Sequence, residues 1–224
     1  MADILIAEDD AHVRKWVAVA LESQGYAVDS VPDGSSAIKY LRSCEPRLLI
    51  LDVMMPGPSG LEVCRELRLF NRTLPVMMLT ARNSENDILA GFEAGADDYV
   101  TKPFSLAVLF ARVAALLRRT ACTAHRTSDF KIGNHTISSA RMAIITPDDE
   151  NIPLTARELE LLTVLNQHRG EALNRNWLLN HVWGFNFYGN TRTLDQHIAL
   201  IRRKLKNDAK TIKTIRHIGY QLKV

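Results

Sequence analysis

Six polar side chains sit at one kind of place in this sequence, just after or at the end of a short apolar run. Glu8, Asp9 and Asp10 follow residues 4–7, Asp52 follows residues 48–51, Thr80 follows residues 76–79, and Lys102 follows residues 99–101. Carboxylates brought close together repel and raise one another's pKa. A hard divalent cation removes that conflict, and oxygen donors with water positions left open suit Mg2+. Such an ion neutralises a phosphoryl group in transfer, while an ammonium and a hydroxyl hold the phosphoryl oxygens, a role that fits Lys102 and Thr80. Asp52 is then the natural nucleophile, because an aspartate carboxylate can form an acyl phosphate. Asp10 reads instead as the cap of the helix that follows.

These residues need a scaffold that delivers them to one place. Between the apolar runs at 4–7, 28–31, 48–51, 76–79 and 99–101 lie stretches with helical spacing, such as Val13, Val17 and Leu21, then Leu61, Cys64 and Leu67, then Leu109, Val113 and Leu116. Strands alternating with helices predict an α/β, doubly wound, five-stranded parallel sheet. Such sheets place their ligands at the carboxyl ends of the strands, where all six residues fall. This unit is expected to span residues 1–119.

Residues 120–128 are small and polar without period and read as a linker. Residues 129–224 change character. Short strand-like pieces at 130–132, 135–138, 142–146 and 151–153 predict a small antiparallel sheet. Thr155 and Glu158 form a capping box before an apolar helix, and Asn174 can cap a second. A third helix, over residues 191–206, carries Leu194, Ile198, Ile201 and Leu205 on its core face. Its other face presents Arg192, Gln196, Ala199 and Arg203, with Leu200 nearby. Residues 211–224 read as a hairpin. Three helices closed by a hairpin give an α+β winged helix-turn-helix plan, with a basic helix face suited to a major groove.

Charge divides along the same boundary. Residues 1–120 hold 13 Lys and Arg against 16 Asp and Glu, net −3, and residues 121–224 hold 15 against 9, net +6. The basic half suits a polyanion and the acidic half a cation. No apolar run is long enough to span a bilayer, and the acidic start lacks the charge of an export signal, so a cytoplasmic, membrane-free protein is expected. Cys44, Cys64 and Cys122 fit neither a zinc pattern nor a disulfide framework. Cys44 and Cys64 read as packing residues and Cys122 as a linker thiol. The seven histidines form no metal spacing.

The segments ILIAEDD, LLILDVMMPGPSGLEVC, VMMLTA and GADDYVTKPF, in that order, resemble the motifs of response-regulator receiver domains. The resemblance implies that Asp52 accepts phosphate from a sensor histidine kinase. It implies Mg2+ on Asp9, Asp52 and the Met54 carbonyl, with Glu8 acting through water, and phosphoryl contacts from Thr80 and Lys102. It also implies a cis Lys102–Pro103 bond and a Thr80/Tyr99 switch, Thr80 moving inward and Tyr99 filling the space on phosphorylation. By the same resemblance the receiver is expected to catalyse only its own phosphate chemistry and to be no dedicated enzyme.

The segments LTARELELL, LLNHVWG, NTRTLDQHIALIRRKL and TIKTIRHIGYQL resemble the output domain of the OmpR/PhoB subfamily. There, active receivers pair as homodimers through three salt bridges. Asp97 with Arg119 and Asp98 with Arg112 match two of them, and Ile88 and Val108 occupy the positions of the third. That apolar pair either replaces the ion pair in the dimer or packs within its own subunit. In the output domain, Arg216 matches a minor-groove arginine of the wing and Arg192 and Arg202 match backbone contacts on double-stranded DNA. Gln196 could read a base edge, and Ala199 or Leu200 could touch a thymine methyl. The aromatic loop 183–190 matches an RNA polymerase contact or is loop packing.

Three functions compete on this reading. The first is a phosphorylation-gated transcription factor. The second is an Mg2+-dependent phosphotransfer enzyme whose basic domain docks a protein. The third is a DNA-binding regulator without phosphate control. The recognition-like helix and wing favour the first over the second, and the intact Asp9, Asp52, Thr80 and Lys102 set favours it over the third.

Overall fold

The structure, a computed structural model, describes residues 2–81, 84–118, 128–184 and 192–224, with only the backbone of residues 118 and 192. The chain divides into two compact units, Met1–Thr120 and Ala121–Val224.

In the first unit, five parallel strands run in the order β2-β1-β3-β4-β5. They are β1 (Ile4–Ala7), β2 (Val28–Val31), β3 (Leu48–Leu51), β4 (Val76–Thr80) and β5 (Asp98–Thr101). The helices are α1 (Ala11–Glu22), α2 (Gly34–Ser43), α3 (Gly60–Phe70), α4 (Glu85–Glu93) and α5 (Leu106–Arg118). Successive strand residues point to opposite faces. Ile4, Ile6, Leu48, Ile50, Met77, Leu79 and Val100 therefore share one face, packed on Val17 and Leu21 of α1 and on Leu109, Val113 and Leu116 of α5. Leu5, Leu49, Leu51, Met78 and Tyr99 alternate with them and are buried towards the other side. Helix starts are fixed locally: Asp10 accepts from the N–H groups of His12 and Val13, which hold its carboxyl below the usual carboxylate range. Ser59 and Glu62 form a capping box on α3.

The second unit opens with an antiparallel sheet of β6 (Phe130–Ile132), β7 (His135–Ser138), β8 (Ala143–Ile145) and β9 (Asn151–Pro153). Helices α6 (Ala156–Gln167), α7 (Arg175–Val182) and α8 (Arg192–Leu205) follow, and a 3-10 turn over Lys206–Thr211 leads into the hairpin of β11 (Ile212–Ile215) and β12 (Gly219–Leu222). Strand β10 (Leu173–Asn174) joins the hairpin as a third member, in the order β10-β12-β11. Thr155 and Glu158 form the expected capping box, and Asn174 caps α7. Leu194, Ile198, Ile201 and Leu205 of α8 are fully buried in a core shared with Leu161, Leu165, Leu178 and Leu222. The third helix ends sooner in α-form than the sequence pattern implies, since Lys206 enters the 3-10 turn at φ 47°. Among the described residues, no helix is long and apolar enough to cross a membrane.

Candidate functional site

The parallel register brings the carboxyl ends of β1, β3, β4 and β5 to one edge, and with them Glu8, Asp9, Asp52, Thr80 and Lys102. Glu8, Asp9 and Asp52 each offer an oxygen within 4.8 Å of the others. Glu8 and Asp52 are buried and Asp9 is exposed. Lys102 Nζ donates to Glu8 Oε2 and Asp52 Oδ2, both at 2.6 Å. Burial pushes the Glu8 carboxyl up to about 7, with the Lys102 hydrogen bond opposing and the Asp52 charge adding to the rise. Burial alone would lower the Lys102 ammonium, but its bonds to Asp52 and Glu8 hold it above its usual value. Two buried carboxylates and an exposed third around one ammonium leave negative charge in excess. That excess, on oxygen donors alone, fits a hard divalent cation.

Backbone contacts fix the pocket. The Met54 N–H donates to Asp52 Oδ1 at 3.0 Å, which keeps residue 54 beside that carboxylate. The start of α3 lies so close that a Cβ on Gly60 would meet the Asp52 carbonyl oxygen at 2.0 Å, so only glycine fits there. Arg14 Nη1 donates to the carbonyls of Glu8 (2.6 Å) and Asp9 (3.1 Å) and braces the acidic loop. Sequence reasoning missed Arg14, because its placement one turn into α1 carries no motif. Lys102–Pro103 is cis. Thr80 is fully buried and Tyr99 is 7% exposed, so both members of the expected switch pair lie inward.

On the expected pairing face, the chain satisfies its acids internally. Asp97 is bonded to Arg68 Nη2 (2.9 Å) and to the Val76 N–H (2.9 Å), and Asp98 to Arg112 Nη1 (2.6 and 2.7 Å). Both acids are buried, where an ion must be paired. Ile88 and Val108 are half-buried, and Arg119 lies outside the described residues, as does Cys122.

In the second unit, α8 turns Ala199 and Arg203 outward and leaves Gln196 half-buried, while Arg216 is exposed at the hairpin tip. The Arg192 side chain lies outside the described residues. One expectation is corrected. Leu200 is only 7% exposed, so it belongs to the packed side of α8 and does not face a groove. Arg202 folds back onto the hairpin: its guanidinium donates to the Ile212 carbonyl (2.7 and 3.2 Å) and to Thr214 Oγ1 (2.9 Å). It also lies over the Tyr220 ring at 5.6 Å, which Arg175 covers at 5.1 Å. Tyr220 donates to Asp195 at 2.6 Å, and burial with that bond pushes its hydroxyl up to about 12. This cluster ties α7, α8 and the hairpin together, and sequence reasoning missed it because its members lie in three separate elements. Trp183, from the aromatic loop, is core: it is 1% exposed, edge-on to His197 at 5.0 Å and under the Arg157 guanidinium. The rest of that loop, residues 185–190, lies outside the described residues.

Residues 4–114 match the response regulator receiver domain family, and residues 149–222 match the family of transcriptional regulatory protein carboxy-terminal domains. The chain is 40% identical to the alkaline phosphatase synthesis transcriptional regulatory protein PhoP of Bacillus subtilis, over 98% of this chain and 95% of that one. It is 39% identical to the regulatory protein VanRB of Enterococcus faecalis, over 98% and 96%. Among solved structures, DrrB, an OmpR/PhoB homologue of Thermotoga maritima, aligns over the whole of both chains at 31% identity with a TM-score of 0.53. A mutant of RitR aligns over 98% of both chains at 26% identity with a TM-score of 0.72. The sheet order, the acidic strand edge, the helix-and-hairpin unit and these full-length likenesses agree: the chain belongs to the OmpR/PhoB family of two-component response regulators, with a receiver domain followed by a DNA-binding domain.

Proposed function

We propose that Asp52 takes a phosphoryl group from a sensor histidine kinase and that the phosphorylated receiver dimerises to regulate transcription. A carboxylate oxygen of Asp52 attacks phosphorus as the bond to the donor histidine nitrogen breaks, leaving an acyl phosphate, and the ring, protonated on its other nitrogen beforehand, departs as neutral imidazole. Glu8, Asp9, Asp52 and the Met54 carbonyl would hold Mg2+, which when bound neutralises phosphoryl charge. Lys102 then leaves its bond to Asp52 for a phosphoryl oxygen, and the Thr80 hydroxyl takes a second. The same chemistry run with water removes the phosphate, so the receiver acts on itself alone.

The output follows by population shift: phosphate favours one receiver state, and that state pairs better. Pairing would use Ile88, Asp97, Asp98, Val108, Arg112 and Arg119, with the acids exchanging internal partners for the second copy. Two DNA-binding units then meet adjacent half-sites at high effective concentration. On double-stranded DNA, Gln196 and Ala199 would read base edges, Arg203 and Arg192 the backbone, and Arg216 the minor groove. Arg202 is reassigned to bracing. The protein would work in the cytoplasm with RNA polymerase as the downstream partner.

The observation that carries this reading is the meeting of Asp52 with Lys102 at 2.6 Å beside Glu8 and Asp9 at a sheet edge. The test is Asp52→Asn, which keeps the side chain's shape. Wild-type protein with Mg2+ and a small phosphodonor should acquire hydroxylamine-labile phosphate, and the variant should acquire none while melting cooperatively. Equal labelling of the variant would refute the assignment.

A further inference from the structure

Tyr99 lies on β5, the edge strand of the receiver sheet, yet its side chain is buried. An edge strand has a neighbour on one side only, so an aromatic ring there needs cover from a helix. That cover is α4, and the ring fits under it because residue 91 is glycine. A Cβ at Gly91 would lie 2.9 Å from both Cδ2 and Cε2 of Tyr99 and 3.7 Å from Met78 Cγ. Real side chains do not approach so closely, and a ring cannot bend away. A Cβ there would force the ring to turn about its Cα–Cβ and Cβ–Cγ bonds, away from residue 91.

Nothing else at this position calls for glycine. Gly91 is not among the residues of positive φ, so its backbone would accept any side chain. It sits inside a helix of nine residues, where glycine is the poorest former after proline. Phe92, the next residue, packs its ring 6.3 Å from that of Tyr99, so the helix closes around the tyrosine. Thr80 is on the adjoining strand, two residues beyond Met78, the register partner of Tyr99, and is fully buried.

We propose that Gly91 is the seat of Tyr99: a positioning residue whose missing side chain admits the ring to its inward place and so sets how the receiver responds to phosphate. The link to phosphate rests on the pairing reading above, whereas the seat itself rests on geometry alone. Helix α4 and strand β5 would then form the pairing face only while the ring is seated between them.

The test begins with the ring. In the full-length wild-type protein, Tyr99 should resist aqueous iodination read by peptide mass spectrometry, and in Gly91→Ala it should label at least tenfold faster. Equal protection in the variant, or a freely labelled wild-type Tyr99, overturns the seat. The second measurement is solution mass with Mg2+ and beryllofluoride, a phosphoryl mimic. Gly91→Ala should pair at least tenfold more weakly than wild type, while its Asp52 still takes phosphate from a small donor to the wild-type extent. Adding Gly91→Ala to Tyr99→Ala should change pairing less than twofold, since the ring it displaces is gone. A further tenfold loss in that background would show that alanine disturbs α4 itself and would overturn the proposal. Failure of the wild type to pair would remove the dimer reading but leave the iodination result to decide the seat.

Discussion

Lys102 and Arg216 are both cations at functional edges, but the protein treats them differently. Lys102 points its ammonium inward, onto Glu8 and Asp52 at 2.6 Å each, in a pocket assembled from the ends of four strands. Arg216 stands exposed at the tip of one hairpin. A buried charge must be paired, so every change in the pocket is felt by the fold. An exposed charge on a turn is nearly neutral to the fold and acts when a polyanion arrives. On the proposed reading, the receiver would combine its chemistry with its stability, and the output unit would keep recognition apart from its core.

The largest effect expected from that contrast is on stability. Lys102→Ala would leave Glu8 and Asp52 facing each other without an ammonium. At pH 8 without metal it should destabilise the receiver by about 1–3 kcal/mol, reduced from the cost of a fully buried pair because Lys102 is partly solvated. Arg216→Ala should change stability by less than about 0.5 kcal/mol. Urea unfolding of both variants checks this, and equal stabilities would break the contrast.

Binding should reverse the order, and within the output unit it should separate two arginines. Arg216→Ala is expected to cost about 1–3 kcal/mol of DNA affinity and, if the side chain neutralises a phosphate, to lower the salt slope by about 1. Arg202→Gln should also weaken binding, because the bonds to Ile212 and Thr214 that hold α8 on the hairpin are lost. Its salt slope should stay at the wild-type value. A slope that falls with Arg202→Gln would return that residue to the phosphate contacts. Titrations at several salt concentrations give both quantities.

The strand ends and helix caps of the receiver are legible in the sequence because they are local: four-residue apolar runs followed by acid, and Asp10 followed by an unsatisfied helix start. The capping box of Thr155 and Glu158 is legible for the same reason. What escapes is where long side chains go. Helical spacing leaves Leu200 near the outer face of α8, and only the completed fold buries it. Arg202 and Arg68 reach partners 10 and 29 residues away, which no spacing rule encodes. Strand β10 is two residues long, too short for any period, and exists because β12 offers it an edge.

Proton and metal should compete in the pocket and not at the wing. The Glu8 carboxyl, pushed up to about 7, binds its proton more tightly folded than unfolded. Its contribution to stability is therefore fully present below its ordinary value near 4.5 and is lost as pH rises through 7. Metal-free protein should lose receiver stability between pH 5 and 8 on this account, about the window set by those two values. Mg2+ needs the ionised carboxylates, so the rise in Tm on adding it should be larger at pH 8 than at pH 6. Melts with and without Mg2+ at the two values decide this. A rise that is equal at the two values would mean that Glu8 is ionised throughout.

The smallest effect concerns the half-buried pair Ile88 and Val108, which lies between the two extremes of Lys102 and Arg216. Replacing both, Ile88→Lys with Val108→Glu, would install an ion pair on the expected pairing face. A charge pair and a packed apolar pair are commonly close in energy, so dimer Kd should move by less than about tenfold. Ile88→Lys alone should weaken pairing more than the double replacement does, because its charge would face an apolar partner. Light scattering with Mg2+ and beryllofluoride reads all three proteins. If the single and double variants pair as wild type does, Ile88 and Val108 pack only within their own subunit, and the apolar pair is a feature of the core and not of the interface.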